Sequence, residues 1–241
     1  MISSKLAQAI VNRTAIDFGT ESIPLDRALG RTLREDIHSD RDLPPYDRVT
    51  MDGIAIKFET FADGSKYFPI EGTAAAGKEQ FELKDKNNCV EVMTGAVLPK
   101  GTDTIIQYEW LEISDGGAHI VKEDFVQGKN VHAKGTDRAA GSLVIPKDRL
   151  IGAAEIGLAA TFGKHELLVS KRPDVAIVST GDELVEIHEQ PLPHQIRKSN
   201  VHMIEHSVVP FANTITRVHL QDDLDATVNT LRGLLDKMPL I

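Results

Sequence analysis

The chain has 241 residues, 41% of them hydrophobic, enough for a sizeable core in roughly one or two domains. Its 27 Lys and Arg against 36 Asp and Glu give a net charge of −9, which argues against unspecific binding to DNA or anionic membrane but leaves room for a local basic pocket. One cysteine, Cys89, excludes an intrachain disulfide, and no stretch approaches the ~20 apolar residues of a membrane span, so a soluble cytoplasmic protein is expected.

Ser3 or Ser4 can cap a first helix whose Ala7, Ile10, Val11, Thr14 and Phe18 share a face and which Gly19 would end. "PLDRALGR" predicts a short helical turn, capped by Asp26 and stopped at Gly30; Thr32 to Ile37 reads as a strand or an extension of it. "DLPPYDRVTMDGIAI" changes the texture, because its two prolines force an extended chain. From about Thr50 to Gln127, β-like runs ("GIAIK", "KYFPI", "CVEVM", "TDTIIQYEWLEI") alternate with turns, and Asp115, Gly116 and Gly117 close a hairpin, so this region reads as an all-β insert. Cys89 within it reads as a small core residue.

Beyond Pro146 the period becomes helical, with Leu150, Ile151, Ala154, Leu158 and Thr161 on one face and Gly163 as the stop. A charged strand, "HELLVSKR", and a junction at Arg172-Pro173 follow. From Asp174 the order is strand (Val175–Ser179), loop, helix (from a Ser199 cap), strand ("TITRVHL") and helix, the last with Leu224, Val228, Leu231 and Leu235 on one face. Such a series normally feeds another parallel strand, and "PLI" has only begun one, so the domain is expected to be incomplete.

Chemistry concentrates where strands end. "VAIVSTGDELVE" runs from a buried strand into Thr180, Gly181, Asp182 and Glu183, at the carboxyl end of a parallel strand, where open α/β sheets bind ligands. Two carboxylates there can hold Mg²⁺ with water and a substrate phosphate, and Gly181 lets backbone approach a ligand; the segment reads equally well as a solvated polar turn. Asp52 in "VTMDGIAI", Thr94 and Gly95 in "VMTGAVLPKGTDTII", and Asp137 with Arg138 in "VHAKGTDRAAG" sit in turns that read locally as plain corners. His202 and His206 stand four apart on a helix with no third ligand in view, and read as an exposed pair. Neither a P-loop nor a GxGxxG fingerprint is present.

In order, "LDRALGRTLREDI", "LPPYDRVTMDGIAI", "VMTGAVLPKGTDTIIQYE", "NVHAKGTDRAAG", "RPDVAIVSTGDELVE" and "QIRKSNVHM" resemble the molybdopterin molybdotransferase family, the MoeA type related to the gephyrin E domain. The resemblance runs from about Leu25 to Ile241. It implies an enzyme of molybdenum cofactor biosynthesis that inserts molybdate into adenylylated molybdopterin with release of AMP. The implied fold is multidomain α/β plus β: a discontinuous helical/mixed domain (1–45 and 139–172), a β-rich domain (46–138) and an incomplete three-layer α/β molybdopterin-binding domain (173–241). It implies a homodimer, Mg²⁺ as cofactor, a molybdopterin adenylyltransferase as a partner, and no nucleic acid or membrane.

By the same resemblance, Asp182 holds Mg²⁺ against the nucleotide phosphates, and Ser179, Thr180, Gly181, Ser199, Asn200, Thr94 and Gly95 bind the pterin nucleotide. Asp52, Asp137 and Glu183 take catalytic roles, with Asp52, Thr94 and Asp137 facing the cleft across the dimer. Four positions depart from the family pattern: Val49 for serine, Glu91 for arginine, His132 for arginine and Thr136 for glutamate. Two lost arginines weaken an anion site, which keeps two other readings open: a pterin-nucleotide binding protein, or a non-catalytic dimeric scaffold.

Overall fold

The computed structural model describes residues 2–14 and 16–241. In chain order the elements begin with α1 (Ser4–Arg13), β1 (Thr20–Pro24), β2 (Ile37–His38), β3 (Arg48–Val49), β4 (Gly53–Ile56), α2 (Phe58–Ala62) and β5 (Tyr67–Ala74). Then come β6 (Cys89–Val92), β7 (Thr104–Gln107), β8 (Leu111–Ser114), β9 (Gly117–Ile120), β10 (Val131–His132), β11 (Leu143–Ile145) and α3 (Ala153–Thr161). The series closes with β12 (Glu166–Ser170), β13 (Val175–Thr180), β14 (Leu184–Val185), β15 (Ile196–Arg197), α4 (Ser199–Val208), β16 (Ile215–Leu220) and α5 (Leu224–Leu235). They fall into two compact units, residues 37–144 and residues 1–36 with 145–241.

The 37–144 unit is built on a six-stranded sheet of order β7-β4-β6-β5-β9-β8, antiparallel except for the β5–β6 pair. Every residue of β4 is buried. Because alternate residues of a strand face opposite sides, Ile54 and Ile56 join Phe68, Cys89, Ile106 and Ile120 in one cluster, while Ala55 joins Val90, Val92 and Ile105 in another. Gly53 starts this strand because the backbone passes so close to β7 that a Cβ would lie 1.9 Å from the Ile106 carbonyl oxygen. Asp115 and Gly116, both at positive φ, form the two-residue turn of the β8–β9 hairpin, and Gly117 already belongs to β9. The insert is not purely β, since α2 forms one helical stretch in it, with Asp103 Oδ1 accepting the Phe58 N–H at 2.8 Å. The two prolines do not simply extend the chain: Leu43–Pro44 is cis, and the backbone bends beyond it.

In the other unit, β1 pairs antiparallel with β12, and β13 pairs parallel with β16. Leu240 adds a parallel bridge to Val175, so the final apolar run does begin to pair beside β13. Four expectations need correcting. α1 ends at Arg13, not Gly19, because Thr14 closes it, donating its hydroxyl and its N–H to the Val11 carbonyl oxygen, the former at 2.9 Å; Ala15 lies outside the described residues. Asp26 sits inside its three-residue turn and does not cap it. α3 starts at Ala153, since Leu150 and Ile151 are held extended against Thr32 and Arg31; its inward residues are Ile156, Ala159 and Phe162, while Ala154, Leu158 and Thr161 are exposed. α4 has Lys198 at its cap position, with Ser199 as its first helical residue.

Candidate functional sites

In the 1–36/145–241 unit, four of the residues singled out in the sequence, Ser179, Thr180, Ser199 and Asn200, meet at the carboxyl end of β13. A cavity of about 300 Å³ is lined by Ser179, Thr180, Leu184, Lys198, Ser199 and Asn200, among others. The fold makes this place in three steps. β13 is buried through Ile177 against Val201 of α4, which anchors the helix over the strand. β14 and β15 pair in parallel and lead the chain directly into α4. Ser199 and Asn200 are therefore the first residues of a ten-residue helix, where backbone N–H groups lack helical partners and favour an anion.

Asp182 lies just past the strand, exposed, its Oδ1 accepting the Asp222 N–H at 3.2 Å; Oδ2 makes no hydrogen bond among the described residues. Asp182 and Glu183 do not line the cavity wall. Gly181 sits at φ +126°, and a Cβ there would lie 2.3 Å from the Glu183 carboxylate, which folds back over it. No cluster of three or more His, Cys, Asp or Glu able to hold a metal occurs among the described residues.

A second cavity of about 120 Å³ adjoins Ser179 and Lys198 and also touches Glu186, His202, Arg217 and His219. Of these, sequence reasoning had singled out Ser179 and His202 but not Lys198, Glu186, Arg217 or His219. Lys198, only 12% exposed, pairs with Glu186 at 2.7 Å and holds that carboxyl below its usual range. Ser179 Oγ lies 3.1 Å from His219 Nδ1, its neighbour in the strand register. His202 is half-buried here and only His206 is exposed, so the two are not an exposed pair. The legible signal was "RKSN", two cations directly before a helix start.

In the 37–144 unit the predicted residues form two clusters. Asp52 Oδ1 accepts both the Thr94 hydroxyl at 2.7 Å and the Thr94 N–H at 2.6 Å, and these bonds hold its carboxyl below the usual range. Gly95, at φ +89°, donates its N–H to Val49 O and turns the chain after Thr94. Glu91 is held by the Tyr108 hydroxyl at 2.6 Å and Thr73 at 2.9 Å. Burial, then Glu91, pushes the Tyr108 phenol up to about 12. Asp137 is paired to His132 at 3.0 Å, and His132 in turn to Arg48 at 3.1 Å.

The chain combines a β-rich unit carrying hydrogen-bonded carboxylates with an α/β segment whose cavity, of mixed polar and apolar lining, lies at the carboxyl end of β13. Residues 2–163 match the family described as MoeA N-terminal region (domain I and II), and the chain belongs to that family. A molybdopterin molybdenumtransferase of Synechocystis sp. is 37% identical over 231 residues, covering 95% of this chain and 59% of the relative. A Staphylococcus epidermidis enzyme of the same name is 29% identical, covering 100% of this chain and 58% of the relative. The chain thus spans less than two thirds of these relatives' length. A molybdopterin biosynthesis MoeA protein from Pyrococcus horikoshii superposes with a TM-score of 0.84 at 29% identity, covering 99% of this chain and 62% of that one. No helix among the described residues is long and apolar enough to cross a membrane.

Proposed function

We propose that this chain is the larger part of a molybdopterin molybdotransferase, which inserts molybdate into adenylylated molybdopterin and releases AMP. The observation that carries the reading is the cavity beside β13, where Ser179, Thr180, Ser199 and Asn200 meet at the strand's carboxyl end. In this reading these residues and Gly181 bind the pterin nucleotide, and the free N–H groups of α4 favour its phosphate. Asp182 would hold Mg²⁺, which would supply positive charge to neutralise the phosphates. Glu183, Asp52 and Asp137 are the catalytic carboxylates, Thr94 keeps Asp52 ionised and oriented, and Thr94 and Gly95 contribute to the pterin-nucleotide site. Residues 1–45 with 139–172, 46–138 and 173–241 act as the three domains. A cytoplasmic homodimer, supplied by a molybdopterin adenylyltransferase, completes the reading. The dimer is supported by α1, which has no buried residue and exposes Leu6, Ile10 and Val11.

One observation favours binding or scaffolding without transfer: Glu91, where the family pattern has arginine, sets a carboxylate against Tyr108. The experiment separates the two. Full-length protein is mixed with adenylylated molybdopterin and Mg²⁺, with and without molybdate, and AMP is measured. Transfer predicts AMP only with molybdate, and its loss in Asp182→Ala. Binding without AMP supports the second reading, and no binding contradicts both.

A further inference from the structure

β3 and β10 pair antiparallel with Arg48 directly opposite His132, a spacing at which cross-strand side chains meet. Arg48 Nη2 lies 3.1 Å from His132 Nδ1, and His132 Nε2 lies 3.0 Å from Asp137 Oδ1. A guanidinium can only donate. Nδ1 must therefore accept, and the single proton of the neutral ring sits on Nε2, aimed at the carboxylate. The nearby charges are engaged elsewhere: Asp47 takes the Lys134 N–H at 2.8 Å, and Lys134 Nζ lies 3.5 Å from Asp42. Asp137 is also held from its backbone, whose N–H donates to Leu43 O at 2.9 Å. Its side chain stays 48% exposed, so the carboxylate is tethered through one oxygen while the group still meets solvent.

We propose that His132 is a positioning residue: Arg48 locks it as the Nε2–H tautomer, and in that form it aims Asp137. An imidazole so placed supplies one directed hydrogen bond where the family pattern has a permanently charged arginine. The effect on turnover rests on the reading in which Asp137 serves the transfer; the tautomer does not.

Two-bond ¹H–¹⁵N correlation spectra of the 241-residue chain, recorded on the alkaline side of the imidazole titration, test it directly. The His132 pattern, assigned by its loss in His132→Gln, should show a protonated Nε2 and a bare Nδ1. Arg48→Met should shift it toward a mixture of tautomers. A ring protonated at Nδ1, or a pattern that Arg48→Met leaves unchanged, overturns the proposal. In the full-length protein, Gln places its amide nitrogen near the Nε2 position, whereas Asn reaches only Nδ1. His132→Gln should therefore retain more kcat than His132→Asn, which should lose roughly ten- to hundredfold, the worth of a hydrogen bond to a charged group. Equal rates in the two variants refute positioning. If wild type releases no AMP, the transferase reading fails while the spectra still decide the tautomer.

Discussion

The six-stranded sheet and the β13–β16 region are made of similar apolar runs, yet they bury them differently. In the sheet, Ile54, Ile56, Ile105 and Ile106 are all fully enclosed, because β4 is covered on both faces. In residues 173–241, α5 has no buried residue, and Leu224 and Leu235 are 78% and 69% exposed. An apolar stripe shows that a helix wants a partner; only packing shows whether the chain supplies one. The sheet's stability is therefore concentrated in a few side chains, whereas the α/β region spreads smaller contributions over half-buried ones.

The sharpest way to break that contrast is a pair of truncations. Ile54→Ala should cost about 2–5 kcal/mol in denaturant unfolding, from lost transfer energy and a residual cavity. Leu231→Ala, on the half-buried side of α5, should cost about 1 kcal/mol or less. Equal costs would refute the contrast.

Polar anchoring should not differ between the units. Burial would raise the Asp103 carboxyl, but Lys57, the Phe58 N–H and Gln127 outweigh it and hold it low. Glu35 behaves likewise, with Lys164 and the Leu168 N–H outweighing burial. Asp103→Asn and Glu35→Gln should each cost about 1–2 kcal/mol at neutral pH. Both carboxyls titrate lower in the fold than in the unfolded chain. Their stabilisation is therefore complete above the ordinary carboxylate range near ~4 and lost as pH falls through the folded values. The wild-type-minus-variant difference should fade in that window; persistence to lower pH would contradict the assignment.

The smallest effect is kinetic. Burial, then Glu91 and Glu71, pushes the Cys89 thiol up to about 12. Native protein should leave a thiol reagent unconsumed, with labelling that follows unfolding. Rapid native labelling would show that the sheet opens locally.

Much of the fold was legible because local rules were obeyed. Asp115-Gly116 marked a hairpin, and the Val175 and Ile215 runs marked parallel strands. The α3 register was misread because Leu150 and Ile151 pair with the distant Thr32 and Arg31, which no local periodicity reveals. The candidate sites divide in the same way. Asp182, Ser199 and Asn200 stand in recognisable strings, whereas His219 and Arg48 acquire meaning only from cross-strand neighbours.

The central claim is that the cavity at the end of β13 takes a pterin nucleotide. Backbone amide shifts of the chain, followed during titration with adenylylated molybdopterin and Mg²⁺, test it most directly. The account predicts that the largest changes fall on Ser179 to Asp182 and Lys198 to Val201, and that Asp182→Asn weakens them. Saturable changes confined to other residues, or none at all, would contradict it.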